Sequence, residues 1–335
     1  MAATNCSLKP YNTFGIDVQA KAFDRFSNLE ELSACINTYK GLELLIVGGG
    51  SNILFTKDFD GVVLKNELKG YEVLSETDTT VIVQAGAGEN WHEFVLKCID
   101  LGYAGIENMS LIPGSVGASP MQNIGAYGVE IKDVFYSLKA YQIASGEIHT
   151  FDAAACEFGY RESVFKRALK GQYVIISVAF QLSKIAAINK NYGAIESQLE
   201  SMGISQPSIK DISNAVIAIR SSKLPDPKTL GNAGSFFKNP VVDQQLVDRI
   251  LEIHPEAPNY PAETGKRKLA AGWLIEQTGW KGKTIGTCGV HTLQALVLVN
   301  YGGSTGQQIY DLSSQIIASV EEKFGVTLER EVNIL

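Results

Sequence analysis

No stretch of 18 apolar residues occurs in the 335-residue chain, so the sequence offers no helical membrane span. The first fifteen residues, MAATNCSLKPYNTFG, carry no apolar core of a secretory signal, and a cytoplasmic protein without a membrane partner is expected. Cysteine is scarce: Cys6, Cys35, Cys98, Cys156 and Cys288 are odd in number, scattered and free of any C-x-x-C pattern. A disulfide framework is therefore not expected. The four histidines, His92, His149, His254 and His291, form no H-E-x-x-H, so no metal site is assigned. Small core thiols and hydrogen-bonded or surface imidazoles account for both sets. Positive charge is in deficit too, with 29 Lys and Arg against 36 Asp and Glu and a net charge of −7. This balance disfavours nucleic acid as a partner but leaves room for a local basic site that takes a small anion.

What is present is an ordinary globular composition. A hydrophobic fraction of 45% with 19% charged residues supports a full core. The length suggests two or three domains.

Glycine is where the pattern becomes specific. The apolar run from Leu42 to Val47 ends at Gly48-Gly49-Gly50, which reads as a buried strand feeding a turn of exposed amides. Such a turn suits a pyrophosphate. The dinucleotide fingerprint G-x-G-x-x-G would need a helix beginning inside this turn. The following ILFTKDFDGVVLKN instead reads as a turn over residues 58–61 and a strand over 62–64, which disfavours a Rossmann unit. Two readings stay open: a backbone cradle for an anion, or a turn that serves chain reversal only.

Ser27-Asn28-Leu29-Glu30 reads as a capping box, followed by Leu29, Leu32 and Ile36 at helical spacing and closed by Gly41. A second strand-to-glycine turn, VIVQAGAG (81–88), precedes a helix opened by Asn90 and Glu93 and carrying Phe94, Cys98 and Leu101. Residues 110–128, SLIPGSVGASPMQNIGAYG, hold four glycines and no charge. A surface loop of that length normally carries charge, so this one is expected to be buried with amides that need partners, which a ligand can provide. FYSLKAYQI and EIHTF predict a hairpin, YVIISVAFQL (173–182) another strand, and Ile212, Val216 and Ile219 a helix ending near SSKLPDP. The two prolines there suggest a domain boundary.

In the last third, NAGSFFKNP (232–240) reads as a second compact loop. Helices are predicted around residues 246–253, 269–277 and 307–324, and strands over 295–300 and 326–334. The chain is thus α+β with at least two lobes.

The stretches VGGGSN (47–52), PGSVGASPMQNIGAYG (113–128), FGYRESVFK (158–166), GNAGSFFKNP (231–240), KLAAGWLIEQTG (268–279) and LEREV (328–332) follow one another in this order. From about Asn12 to its end the chain resembles the UDP-N-acetylenolpyruvoylglucosamine reductases, FAD enzymes of peptidoglycan precursor synthesis. The resemblance implies a two-subdomain FAD-binding region of the vanillyl-alcohol-oxidase type, over residues 1–68 and 69–222, and a C-terminal α+β substrate-binding domain over 223–335. It implies NADPH as hydride donor and a nucleotide sugar, UDP-N-acetylglucosamine enolpyruvate, as the substrate reduced to UDP-N-acetylmuramate. A monomer is expected.

By this resemblance FAD would be held by Gly48, Gly49, Gly50, Ser51 and Asn52, and by Pro113, Gly114, Ser115, Gly117, Ala118, Ser119, Asn123, Gly125, Ala126, Tyr127 and Gly128. Arg161 would bind the substrate carboxylate and stabilise the enolate-like intermediate, a task suited to a permanently charged fork. Ser235 would donate the proton, and Glu331 would assist the same intermediate. Tyr160, Lys223, Asn239, Tyr260, Lys268 and Gln294 would contact the nucleotide sugar. Tyr192, in KNYGAIE, resembles the tyrosine of the type I subgroup that closes over substrate.

The family pattern usually has proline before the glutamate and arginine two residues after it, where this chain has Arg330 and Asn333. Glu329 and Glu331 share a face in an extended strand, so periodicity alone does not choose between them. Glu162 stands where Asp is commoner. Taken singly, each residue also has a plain reading: Arg161 as a surface ion pair, Ser235 as a turn cap, Glu331 as an exposed strand carboxylate. Two rival functions fit parts of the pattern. A flavin oxidase of the same fold would share the glycine loops without needing GNAGSFFKNP, and a nucleotide-sugar binder would need the lysines without Ser235 or Arg161.

Overall fold

The computed structural model describes residues 3–190 and 193–335. The chain forms two compact units. One comprises Met1–Cys6, Ala20–Gly49 and Asp60–Ser222, the other Ser7–Gln19, Gly50–Phe59 and Lys223–Leu335.

In the first unit a four-stranded sheet runs in the order Ala3–Ser7, Gln19–Phe26, Phe59–Asn66, Glu43–Val47. Its last two strands are parallel, with Leu45 opposite Val63. Parallel neighbours need a crossover between them. The next strand of this sheet after the glycine run starts at Phe59, and Gly61 lies inside it where the sequence suggests a turn. Val62, Val63 and Leu64 are fully buried, which is what makes the run a strand. Helix α1, Leu29–Thr38, is capped by Asn28, whose Oδ1 accepts from the Glu31 amide at 2.8 Å. The cap is thus one residue later than expected, and Ser27 instead donates through its amide and hydroxyl to the Glu31 carboxylate. Leu32, Cys35 and Ile36 pack onto Val62 and Leu64.

A five-stranded antiparallel sheet follows, ordered Ile148–Phe151, Phe135–Gln142, Tyr173–Ser183, Thr80–Gly86, Tyr71–Glu76. The predicted hairpin is present, with Leu138 opposite Phe151. Helix α2, Trp91–Asp100, is capped by Asn90 as expected and packs Trp91, Phe94, Val95 and Cys98 into the core against this sheet. The Trp91 indole donates to the Met109 carbonyl at 2.9 Å, so its one polar atom is buried at no loss. Three more helices complete the unit: α3, Ala153–Cys156, α4, Gly193–Ser201, and α5, Ile209–Lys223. The sequence reading had not anticipated α4. Its Ile195 and Leu199 pack on Ile212, Val216 and Ile219 of α5.

The second unit includes two N-terminal pieces, Ser7–Gln19 and Gly50–Phe59. Asn12 explains the first: its side-chain amide donates to the carbonyls of Leu8 and Ile16 and accepts from the Ile16 amide. The loop so shaped receives the Asn232 amide on Thr13 and the Asn300 side chain on Phe14. Ile53–Leu54 pairs in parallel with Asn333–Ile334. The main sheet of this unit is ordered Gly231–Ser235, Val297–Asn300, Cys288–Val290, Thr284–Ile285. Residues 231–235 are therefore a strand, where a loop had been expected. A three-stranded sheet is formed by Val241–Asp243, Lys266–Leu269 and Asn259–Pro261. Helices α6, Gln244–Ile253, α7, Ala271–Gln277, and α8, Gly306–Phe324, lie near their predicted places. A Thr305/Gln308 capping box starts α8 and Gly325 ends it at φ +66°. The predicted strand over 326–334 is mostly irregular, reduced to a bridge between Phe237 and Arg330 and the pair Asn333–Ile334.

Candidate active site

The close approach that excludes side chains at the glycine run is first of all the second glycine segment. A Cβ on Gly48 would stand 2.1 Å from Ser115 Oγ, and one on Gly49 would stand 3.2 Å from Gly114 Cα. Gly117 is held likewise against Ala87, where a Cβ would meet another at 2.5 Å. Between these loops lies a cavity of about 400 Å³. Gly48, Gly49, Gly88, Gly114 and Ser115 line it, with Ser27, Lys65, Asn66, Glu67, Lys69 and Asn90. Its walls are small and polar, and include two lysines and one glutamate. Lys65 lies 3.0 Å from Glu67, and Lys69 lies 3.3 Å from Glu89. Glycine backbone, hydroxyl and amide side chains and two lysine ammonium groups are a donor set that fits a diphosphate.

The other expected cofactor residues have structural duties as well. Gly50 turns against Tyr11, whose carbonyl oxygen would be 2.0 Å from a Cβ there. The Asn52 carbonyl accepts from the Asn333 amide and side chain. In the segment 113–128, amides pair back more than the sequence suggested. Val116 donates to Glu89, Gly117 to Ala87, and Ala118, Ser119 and Ile124 to carbonyls of the same segment. Asn123 is fully buried at φ +45° and ties Glu130, Gly159 and Lys132 together. Gly125–Ala126 pairs with Val129–Glu130. The Tyr127 carbonyl, like that of Asn189, accepts from Asn108. Gly128 takes φ +81°.

Arg161 is joined to this segment. Its guanidinium donates to the Asn123 carbonyl at 3.2 Å and the Gly125 carbonyl at 2.8 Å, and it lies 5.5 Å from the Tyr160 ring centroid. The residue sits at φ +55°, in a turn closed by the Gly159 and Glu162 backbones. A non-glycine residue in that region costs roughly 1–3 kcal/mol, which the surrounding hydrogen bonds must offset. Sidechain placement, not local propensity, therefore decides this turn.

Two further groups in the first unit were missed. Leu111, at φ +58°, donates its amide to His92 Nδ1 at 3.0 Å and accepts from Arg220 Nε at 3.2 Å. Burial, and then the Arg220 charge, lowers the His92 pKa below its ordinary 6.5, against a smaller opposing effect of Glu93. Burial also lowers that of Arg220, with Tyr127 acting in the other direction.

In the second unit Ser235 faces Val297 in the main sheet, after a bulge at which Gly234 takes φ +67°. Asn232, not the serine, shapes this turn: its side chain donates to the Pro225 and Leu230 carbonyls and accepts from the Gly234 amide. The Ser235 side chain is half-buried and makes no hydrogen bond among the described residues. Immediately beyond it, the Phe236 carbonyl accepts from the Glu331 amide at 2.8 Å and the Lys238 amide donates to Glu329. Glu329 is exposed and pairs with the buried Lys238 at 2.5 Å, whereas Glu331 is half-buried.

Four of the expected substrate residues gather around the start of α7. Asn239 Oδ1 accepts from the Ala271 amide at 2.9 Å, and Gln294 Oε1 would be 3.2 Å from a Cβ on Gly272. Lys268 and Tyr260 are cross-strand partners. Lys223 is exposed at the end of α5. Tyr192 lies outside the described residues.

The sequence comparisons match these features. Residues 20–152 match an FAD binding domain, and residues 226–335 match the UDP-N-acetylenolpyruvoylglucosamine reductase C-terminal domain. UDP-N-acetylenolpyruvoylglucosamine reductase from Flavobacterium johnsoniae is 52% identical over 99% of both chains. The chain belongs to the UDP-N-acetylenolpyruvoylglucosamine reductase family. Its relative in Pseudomonas savastanoi is 50% identical over 98% of this chain and 97% of its own. A solved reductase of this family, from Thermus caldophilus, shares the fold, with a TM-score of 0.69 at 20% identity over 100% of this chain and 98% of the other. The fold is thus α+β with the FAD-binding architecture of the family.

The cavity also brings out residues that the sequence reading overlooked. Lys65, Asn66, Lys69 and Asn90 line the cavity but carry no signal beyond charge and polarity at the ends of apolar runs. The alternation of Lys65, Glu67 and Lys69 reads as a solvated strand end. Among the described residues no cluster of metal-ligating side chains occurs, and no helix is long and apolar enough to cross a membrane.

Proposed function

We propose that the chain catalyses the NADPH-driven, FAD-dependent reduction of UDP-N-acetylglucosamine enolpyruvate to UDP-N-acetylmuramate in peptidoglycan precursor synthesis. The observation that carries this reading is identity of about one half along nearly the whole chain to reductases of that name. The cavity between the glycine loops supports the cofactor: Gly48, Gly49, Gly114 and Ser115 offer backbone to the diphosphate of FAD, and Lys65 and Lys69 offset its charge. Bound there, the flavin supplies hydride transfer from NADPH to the enolpyruvyl ether.

The chain's own residues must then manage charge and a proton. Hydride at the terminal methylene leaves negative charge on the neighbouring carbon, spread into the carboxylate. Arg161, held on the Asn123 and Gly125 carbonyls, presents a planar cation to that carboxylate. Ser235 protonates the carbon. Its freedom from the turn, whose polar bonds Asn232 makes, leaves the hydroxyl proton available for donation. Glu331 assists the same intermediate. Glu329 is an unsuitable substitute because its carboxylate is committed to Lys238. Asn239, Lys268, Tyr260 and Gln294 hold the nucleotide sugar, together with Tyr160, Lys223 and Tyr192.

The division into two FAD-binding subdomains and a substrate domain follows the same reading, with residues 7–19 and 50–59 assigned to the last. A cytoplasmic monomer completes it. Anaerobic titration of the yellow protein with NADPH, then with the enolpyruvyl nucleotide sugar, tests the function directly. Bleaching followed by return of colour is the expected result. Colour that NADPH leaves untouched, or that the nucleotide sugar does not restore, would overturn the proposal.

A further inference from the structure

We infer that Asn123 is a positioning residue that fixes the Arg161 guanidinium for the substrate carboxylate, an inference that rests on Arg161 taking that carboxylate as proposed above. Asn123 is fully buried. Its side chain donates one N–H to the Gly159 carbonyl and the other to Glu130 Oε2, each at 3.0 Å, and its Oδ1 accepts from the Lys132 amide at 3.0 Å. A primary amide has two N–H bonds, so both are committed inside the protein. What this side chain gives the reaction is placement of its neighbours.

The neighbour that matters is the turn carrying Arg161. Gly159 and Glu162 close it by exchanging backbone hydrogen bonds at 3.0 and 3.3 Å, with Tyr160 and Arg161 between them. The Asn123 side chain holds this turn at its base through the Gly159 carbonyl. Arg161 then reaches back from the tip, one terminal nitrogen donating to the Asn123 carbonyl at 3.2 Å and the other to the Gly125 carbonyl at 2.8 Å. Asn123 therefore holds both the base of the turn and the head of its arginine, and a shift of either is resisted by the other. The Glu130 end is fixed as well, since the same carboxylate oxygen lies 3.0 Å from Lys132 Nζ. Carbonyl oxygens at two of its nitrogens set the plane of the guanidinium without neutralising its charge.

The residue type is specified twice at this position. Asn123 has φ +45°, a left-handed conformation that glycine, asparagine and aspartate tolerate best. Of these three, asparagine alone brings two N–H donors. Glycine keeps the backbone and loses every side-chain bond, and an ionised aspartate keeps the acceptor and loses both donors.

The test uses Asn123→Gly and Asn123→Asp, each alone and combined with Arg161→Ala, in stopped-flow absorbance and in equilibrium binding to the oxidised enzyme. Asn123→Gly is expected to slow the substrate-driven return of flavin colour by roughly 10- to 100-fold, the scale of a misplaced group at a reacting centre. The dissociation constant of the enolpyruvyl nucleotide sugar should rise, whereas that of UDP-N-acetylglucosamine, which lacks the carboxylate, should stay within about twofold. In the Arg161→Ala background, where no guanidinium remains to be placed, either Asn123 substitution should add no further loss. An equal loss in both backgrounds, weaker binding of both ligands alike, loss of bound flavin, or full rate in both Asn123 variants would overturn the inference. Arg161→Ala at full rate would overturn the carboxylate reading and this inference with it, whereas a slow Arg161→Ala beside unaffected Asn123 variants overturns this inference alone. Should Asn123→Gly not fold, Asn123→Asp decides by the same comparison.

Discussion

The Ser235 hydroxyl, lacking any hydrogen bond among the described residues, stands beside a turn already satisfied by Asn232. Removing it should therefore cost little in folding and much in proton donation. Ser235→Ala is expected to leave NADPH-driven bleaching of the flavin near normal and to slow the substrate-driven return of colour by about 10²- to 10⁴-fold, the usual range for a general acid. Ser235→Cys should recover part of that loss. Equal slowing of both half-reactions would show that the residue only shapes its strand. His92 makes a different prediction, about stability. Its Nδ1 accepts from Leu111, so it must be neutral when folded, and burial lowers its pKa. The unfolded chain then binds more protons than the folded one below the ordinary value of 6.5. The stabilisation is present above that value and is lost as pH falls below it, toward the folded pKa. The thermal midpoint should drop from about pH 7 to about pH 5 in the native protein, and less steeply in His92→Gln. Parallel curves would show that other groups govern the acid limb.

At the scale of elements, the two glycine segments act as one device, because the second occupies the space that a side chain on Gly48 or Gly49 would need. Gly49→Asp places a carboxylate on the cavity wall and should yield largely colourless protein. Gly49→Ala, which adds only the Cβ near Gly114, should keep clearly more FAD, so that loss of colour in the first variant reports charge beside the diphosphate. Full FAD occupancy in Gly49→Asp would end the assignment. The glycine strands and helices α1, α2, α5 and α8 were legible because apolar spacing and local caps state them within a dozen residues. The strand Gly231–Ser235 was not. Asn232, Ala233 and Gly234 lack the β-branched side chains of a strand, and the pairing that makes them one comes from Val297–Asn300, far along the chain. Residues 326–334 failed in the opposite sense. Val326, Leu328 and Val332 alternate as a strand would and are buried, but only a bridge at Arg330 and the pair Asn333–Ile334 find partners. Periodicity reports burial, not pairing. The candidate catalytic residues were legible only through motif order, since an arginine at φ +55° and a serine without a side-chain hydrogen bond among the described residues carry no local signal.

At the scale of the molecule, the C-terminal unit is discontinuous, and prolines near residue 225 conceal that fact from the sequence. Segments Ser7–Gln19 and Gly50–Phe59 belong to it. They contribute Leu8, Phe14, Ile16, Val18, Leu54 and Phe55, each at most 8% exposed, with Phe14 edge-on to Phe236 at 6.1 Å between ring centroids. Gly306 rests so closely on Phe55 that a Cβ would stand 1.7 Å from its carbonyl oxygen, and the Thr56 amide and hydroxyl both donate to the Leu335 carbonyl, at 2.7 and 2.8 Å. Burying one large aliphatic or aromatic side chain contributes about 1.5–3 kcal/mol. Six of them together match or exceed the roughly 5–15 kcal/mol that separates most folded domains from their unfolded chains. Residues 223–335 expressed alone should therefore remain unfolded, although a match to the family's C-terminal domain covers nearly all of them. Backbone amide exchange without protected amides, and circular dichroism without a cooperative thermal transition, are the expected results. A chain in which residues 7–19 and 50–59 are joined to 223–335 through flexible linkers should recover both protection and cooperativity. A stably folded 223–335 fragment would mean that the two N-terminal segments decorate this unit and do not build its core.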